Sequence, residues 1–202
     1  MADWDQDSPE LRANLKQVLC DIRDSALRRE ALGVETIREW HGRTMEGLSV
    51  PDRKWIGHFR GEAGLKHVQV HIGAHSGTPA PEVAAALADF NARLGRVIER
   101  LDQAIAPEKE LTADSLNSVL NACAWAHSEW VRMHPFANGN GRTARLLANA
   151  IALRYGLPPF VRLRPRPSLG YPAAAEASMR GDYQPLATTF GRMLNACLSD
   201  EN

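Results

Sequence analysis

Every long stretch of this 202-residue chain spaces its apolar residues for a helix and not for a strand. Ser8-Pro9 offers an N-cap followed by a proline suited to a first helical position. Behind it Leu11, Leu15, Val18, Leu19, Ile22 and Ala26 form one stripe, and Gly33 is the expected stop. A second helix carries Ile37, Trp40, His41, Thr44 and Leu48 and ends near Gly47. A third begins at Pro81, places Val83, Leu87, Phe90, Leu94, Val97, Ile98 and Leu101 on one stripe, and breaks at Ala106-Pro107. Thr112 caps a fourth from about Ala113, with Leu116, Val119, Leu120, Cys123, His127 and Trp130 on one side. Three more follow, over residues 142–155, 171–180 and 182–198, the last with Leu186, Phe190, Met193, Leu194 and Cys197 inward. An all-α bundle of about seven helices is the only fold class consistent with this pattern. Residues 51–80 depart from it. Glycines at 57, 61, 64, 73 and 77 punctuate the segment and HVQVHI alternates with period two, which predicts one short β-hairpin.

The chemistry concentrates in HPFANGNGRTAR, from His134 to Arg145. Residues 138–141 form a Gly/Asn-rich turn ahead of a helix with apolar residues at Leu147, Ala150, Ile151 and Tyr155, stopped by Gly156. Such a helix start gathers unpaired N–H donors and partial positive charge, and so attracts anions. Arg142 and Arg145 lie three apart, so one anion can meet both guanidinium groups from the same side. His134 stands just ahead and can exchange a proton near neutral pH. A polyphosphate held by this turn lies beside a general base.

These residues resemble the signature of the Fic (Fido) family, H-x-F-x-[D/E]-G-N-G-R-x-x-R, through His134, Phe136, Gly139, Asn140, Gly141, Arg142 and Arg145. Asn138 stands where the family has an acid. The resemblance extends from about Ile37 to Leu194 through a G-H-F-R segment, a short β-segment and T-P-A-P, and later G-L-P-P…Y…G-D-Y-Q-P-L. It implies a Fic-type helical bundle whose hairpin is a flap over the active-site loop, with an N-terminal helical arm at 1–34 and the Fic domain at 35–202. It also implies a protein adenylyltransferase, transferring AMP from ATP to a Ser, Thr or Tyr hydroxyl of a target protein. His134 is then the catalytic base. Gly139, Asn140, Gly141, Arg142 and Arg145 hold the phosphates through backbone N–H groups, the Asn140 amide and the guanidinium groups. Mg²⁺ is the implied metal, and Asn138 the position that meets it, weakly, since an amide oxygen brings no charge. Phe136 anchors the loop in the core. The protein substrate is expected to add a strand to the flap. Doc-like relatives that transfer a phosphoryl group carry Lys where this chain has Gly141, which favours nucleotidyl transfer. A catalytically weak or inactive binding module on the same fold is the other reading. The inhibitory [S/T]-x-x-x-E-[G/N] element of many relatives is not expected. Only Glu46 and Glu201 precede Gly or Asn, with Gly42 and Cys197 four residues earlier. Restraint is then expected from an antitoxin-like inhibitor or a homo-oligomer.

Several other functions are disfavoured. Lys and Arg balance Asp and Glu at 24 each, so bulk charge draws the chain to neither nucleic acid nor membrane. Arg162, Arg164 and Arg166 lie among prolines and are expected as an extended connector with solvated charges, forming one wall of the nucleotide cleft. His67, His71 and His75 on one strand would spread over about 27 Å, too far for one ion. His41 is expected to be a packed scaffold residue. The acidic N-terminus is unlike a secretory signal, no apolar run reaches spanning length, and three scattered cysteines suit reduced thiols, so a cytoplasmic protein is expected.

Overall fold

The computed structural model describes residues 8–200 except Glu108 and Leu169. Among the described residues it holds seven α-helices and one two-stranded antiparallel sheet: α1 Pro9–Leu27, α2 Val34–Thr44, β1 His71–Ile72, β2 His75–Ser76, α3 Val83–Ala104, α4 Ala113–Met133, α5 Asn140–Arg154, α6 Tyr171–Met179 and α7 Gln184–Asp200. No helix among them is long and apolar enough to cross a membrane.

The capping residues act as their chemistry predicts. The Ser8 hydroxyl accepts the Leu11 N–H at 3.0 Å, and Thr112 accepts that of Ser115 at 3.2 Å. Boundaries differ from the sequence reading in several places: α2 stops at Thr44 and leaves Leu48 outside it, α3 begins at Val83 after a short 3-10 turn, and two differences bear on the site. α1 ends at Leu27 instead of running to Gly33, because Arg29 turns the chain at φ 50° and donates to the Ile105 carbonyl at 2.8 Å. The strand ladder covers four residues and pairs His71 with Ser76 and Ile72 with His75. Of the alternating HVQVHI run, only its last two residues enter the ladder. Val70 buries inward instead and accepts the Gly77 N–H, which closes the hairpin stem.

α5 is the central helix, with α4 packed along it and α1 on another side. Every residue from Arg142 to Leu153 is buried. The sequence predicts one apolar stripe here, whereas the helix is enclosed all round. Alanines at 144, 148, 150 and 152 make this possible, since small side chains admit neighbours on every face. α4 meets α3, α6 and α7 on its remaining faces. Leu11, Leu15, Val18 and Ile22 of α1 belong to the same core as Trp130, Leu146 and Phe190. The motif therefore begins at the end of one buried helix and finishes inside another.

Candidate functional site

α4 ends at His134, a non-glycine residue in the left-handed region (φ 50°, ψ 59°) whose N–H still bonds the Trp130 carbonyl at 3.0 Å. This turn folds the imidazole back, so that Nδ1 donates to the Val131 carbonyl. With the proton on Nδ1, the lone pair belongs to Nε2, and His134 lines a cleft of about 700 Å³. Burial first, and then the Arg60 charge, lower the His134 pKa to about 4, against the Val131 bond that raises it. An unperturbed imidazole titrates near 6.5. The desolvated site keeps it neutral further into acid, and phosphate charge brought alongside favours the protonated form again.

The loop after His134 is held from inside. Phe136 is fully buried, and both atoms of the Asn140 amide serve its backbone: Oδ1 accepts the Phe136 N–H and Nδ2 donates to its carbonyl, each at 2.8 Å. The Asn140 amide thus shapes the turn, where the sequence reading gave it a direct phosphate contact. Gly139 opens α5 at φ 81°, and a Cβ there would lie 2.9 Å from Nε2 of His41. Glycine is required by both conformation and space. Asn138 turns its side-chain oxygen onto the Gly139 N–H. Asn138, Gly139, Asn140, Gly141, Arg142 and Arg145 all line the same cleft as His134. The N–H groups of Asn140 and Gly141 lie in the first turn, where no i−4 carbonyl is available.

Arg142 and Arg145 are each 3% exposed. Arg142 donates to the Met45 sulfur at 3.3 Å, and Arg145 to the Leu163 carbonyl at 3.3 Å. Burial, ahead of every other cause, lowers the Arg145 pKa, and the Tyr171 hydroxyl acts against it. Tyr171 in turn lies 2.8 Å from Nε2 of the buried His127. Among the described residues no carboxylate pairs with Arg145, and Glu46 lies at the far end of α2 with its carbonyl bonded by Asn14. Glu201 lies outside the described residues.

Two supports went unseen in the sequence. His41 is packed, as expected, but it also carries the loop. Its Nδ1 accepts the Gly57 N–H at 3.0 Å, so Nε2 holds the proton and donates to the Asn138 carbonyl at 3.0 Å. Its ring stacks on Phe136 at 3.8 Å, and burial lowers its pKa to about 3. Arg60 is 1% exposed and donates to four carbonyls: His134 at 2.7 Å, Thr78 at 2.7 Å, Met133 at 3.1 Å and Val68 at 3.2 Å. It joins the last carbonyls of α4 to the stem of the hairpin. The GHFR segment was legible as a landmark, but nothing in its spacing revealed this role.

The hairpin covers the cleft, with residues 69–75 on its wall. A Cβ at Gly77 would lie 2.8 Å from Cβ of His134, so stem and base are in close approach. The connector and α6 also line the cleft, through Arg164, Arg166, Tyr171, Pro172, Ala175, Glu176 and Met179. His71 and His75 lie on this hairpin, and no group of three or more metal-ligating side chains occurs among the described residues.

The Fic/DOC family profile matches residues 31–152. The chain is 32% identical over 120 residues to a Drosophila grimshawi protein named protein adenylyltransferase Fic, a match covering 58% of this chain and 22% of that one. It is 41% identical over 78 residues to protein adenylyltransferase fic-1 of Caenorhabditis elegans, covering 39% and 14%. The chain thus spans about a fifth of the length of the curated relatives it matches. Among solved structures, a Fic-domain-containing signaling protein of Bacteroides thetaiotaomicron aligns with TM-score 0.63 at 20% identity, over 92% of this chain and 69% of that one. BepC of Bartonella tribocorum, solved with bound AMPPNP, aligns with TM-score 0.58 at 16% identity over 93% and 87%. These structural likenesses carry the fold. With the profile covering more than half its length, the chain belongs to the Fic/DOC family.

Proposed function

We propose that this protein is an adenylyltransferase that moves AMP from ATP to a Ser, Thr or Tyr hydroxyl of a target protein. The observation that carries the reading is the tautomer of His134. Its Nδ1 proton is spent on the Val131 carbonyl, so Nε2 is a free base in the cleft that Arg142, Arg145 and the start of α5 also line. The target's hydroxyl oxygen forms the new bond at the α-phosphorus as the bond to the bridging oxygen breaks. Pyrophosphate leaves with that electron pair, and the hydroxyl proton passes to Nε2. The two arginines and the N–H groups of Asn140 and Gly141 hold the phosphates and receive the charge gathering on the leaving group, while the Gly139 N–H is taken by the Asn138 side chain. In this reading residues 35–202 carry the chemistry, and residues 1–34 are an arm whose helix α1 braces α5. The target docks along the hairpin edge, and restraint comes from an inhibitor protein or from oligomerisation.

A magnesium ion is the family's companion to ATP, and the donor set fits it poorly. Asn138 offers one neutral oxygen, already engaged by Gly139 N–H, and among the described residues Glu176 is the only carboxylate lining the cleft. No step is assigned to a metal.

The test is incubation with ATP labelled at the α- or the γ-phosphate, together with candidate target protein. Label transferred from the α position alone supports nucleotidyl transfer. Label from γ alone means phosphoryl transfer, and label from neither means a binding module.

A further inference from the structure

A second groove, of about 470 Å³, lies where α3 meets α4, and it shares no residue with the cleft. Both helices enter it at helical spacing. α3 brings Arg93, Arg96, Val97 and Arg100, α4 brings Asn121, Ala122 and Trp125, and Tyr183 joins them from just before α7. Seven residues of helix rise about 10 Å, so the α3 wall is two turns long. Its polar groups are mostly donors. Arg96 and Arg100 are exposed, and among the described residues neither forms an ion pair or a hydrogen bond. Trp125 and Tyr183 are half-buried, and among the described residues neither the indole N–H nor the phenol O–H has a partner. A guanidinium and an indole accept nothing, so what they lack is an acceptor. Arg93 is the exception, paired with Glu129 at 2.9 Å and Asp89 at 3.5 Å. Among the described residues no carboxylate lines the groove itself.

We propose that this groove is a docking surface for an acidic amphipathic helix of a partner protein. Arg96 and Arg100 stand four apart, the spacing at which a facing helix presents two carboxylates on one side. Each guanidinium offers a planar fork of donors that matches a carboxylate. Val97 beside them and Ala122 on α4 give the apolar floor that such a helix needs for its own apolar stripe. Trp, Tyr and Arg are also the residue types that carry most of the energy in protein interfaces. Trp125 separates this partner from a single-stranded nucleic acid, which would stack its bases on open aromatic faces. Its ring is already engaged by Phe90, stacked at 5.8 Å, and by the Arg93 guanidinium at 5.1 Å. It is a donor here, not a platform for a base. Asp89 and Glu129, held on Arg93, also place negative charge at one end of the groove, against a continuous phosphate backbone. The inference stands apart from the adenylyltransferase reading, since none of these residues lines the cleft.

The test is fluorescence anisotropy of the full chain with a labelled synthetic helix, leucines along one stripe and glutamates four apart beside it. The control is the same helix with lysines in place of the glutamates. Wild type is expected to bind the glutamate helix at least about tenfold more tightly than the lysine helix. The double variant Arg96→Glu, Arg100→Glu should reverse that order, a gain that a misfolded chain could not produce. Trp125→Phe keeps the ring on Phe90 and removes the N–H, and should weaken the glutamate helix by about threefold to tenfold. Transfer of α-label should be unchanged in each variant. Wild type that does not bind the glutamate helix saturably, or equal affinity for it in the double variant, would overturn the inference. So would two results that give the groove another occupant. One is a single-stranded oligonucleotide bound by wild type in preference to the helix and lost in the double variant. The other is self-association of wild type in sedimentation velocity that the double variant abolishes.

Discussion

Replacing Arg60 by Ala is expected to be among the most destabilising single changes in the chain, although Arg60 touches no phosphate. The guanidinium is 1% exposed and makes four bonds, all to backbone carbonyls: His134, Met133, Thr78 and Val68. Two of those carbonyls close α4, where no further turn exists to receive them. At a net ~1 kcal/mol per hydrogen bond, four bonds amount to about 4 kcal/mol, and a charged donor raises each. Desolvation works the other way: a cation this deep, with no carboxylate paired to it among the described residues, has its pKa lowered to about 10 by burial. Water entering the space left by the side chain also recovers part of the carbonyls' bonding. A net loss of about 3–4 kcal/mol follows, or roughly 6–16 °C in melting temperature for a chain of this size. Arg60→Lys keeps the charge with three donors and should recover about half.

The same substitution carries a chemical signature that loss of packing alone does not. The Arg60 charge is one cause holding the His134 pKa down. Its removal should raise that pKa, so the acid limb of the transfer rate in Arg60→Ala moves to higher pH. Arg60→Lys should leave the limb near wild type. The assays are thermal unfolding and the pH dependence of kcat/KM for each variant. A melting temperature within about 2 °C of wild type for Arg60→Ala would refute the accounting of the four bonds.

Three further outcomes follow from the site. His134→Ala should reduce transfer by about 10²–10⁴-fold while ATP affinity stays within about threefold, because the phosphate clamp does not include the imidazole; near-normal transfer would remove His134 from the role of base. Gly139→Ala should destabilise by about 1–2 kcal/mol or more from its positive φ alone, with the added Cβ also pressing on His41, and a silent variant in urea titration would contradict both arguments. Burial depresses His41 and His127 to about 3 and His134 to about 4, so between these values and about 6.5 the unfolded chain binds more protons than the folded one. Stability from these three groups is complete above about 6.5 and is lost as pH falls, through about 4 for His134 and about 3 for His41 and His127. The slope approaches ~4 kcal/mol per pH unit where all three differ, and urea midpoints equal at pH 7 and pH 4.5 would refute it.

What the sequence could reveal depended on how far apart the cooperating residues lie. Stripe periodicity within one helix needs only neighbours at i+3 and i+4, and the long helices were legible from it, whereas the short α6, rich in alanine, shows no such stripe. The motif was legible for the same reason: His134, the turn and both arginines sit within twelve consecutive residues, so a helix start, a base and an anion clamp could be read together. The hairpin was legible as a turn-rich segment but not in its register, because Val70 buries against Gly77 and only two residues on each side remain to pair. The supports of the site escaped. His41 reaches the loop at Asn138 across 97 positions and Arg60 reaches His134 across 74. Each is a polar residue on an otherwise ordinary segment, and periodicity cannot say which backbone a buried ring or guanidinium will meet. Asn140 shows the limit from the other side. Its place in the motif suggested a ligand contact, yet its amide is consumed by Phe136 four residues away. Within a loop proposed to hold phosphate, then, some motif residues are left to meet an anion and others hold the loop. Which does which is decided by the loop's own hydrogen bonds, and these close only once the chain has folded.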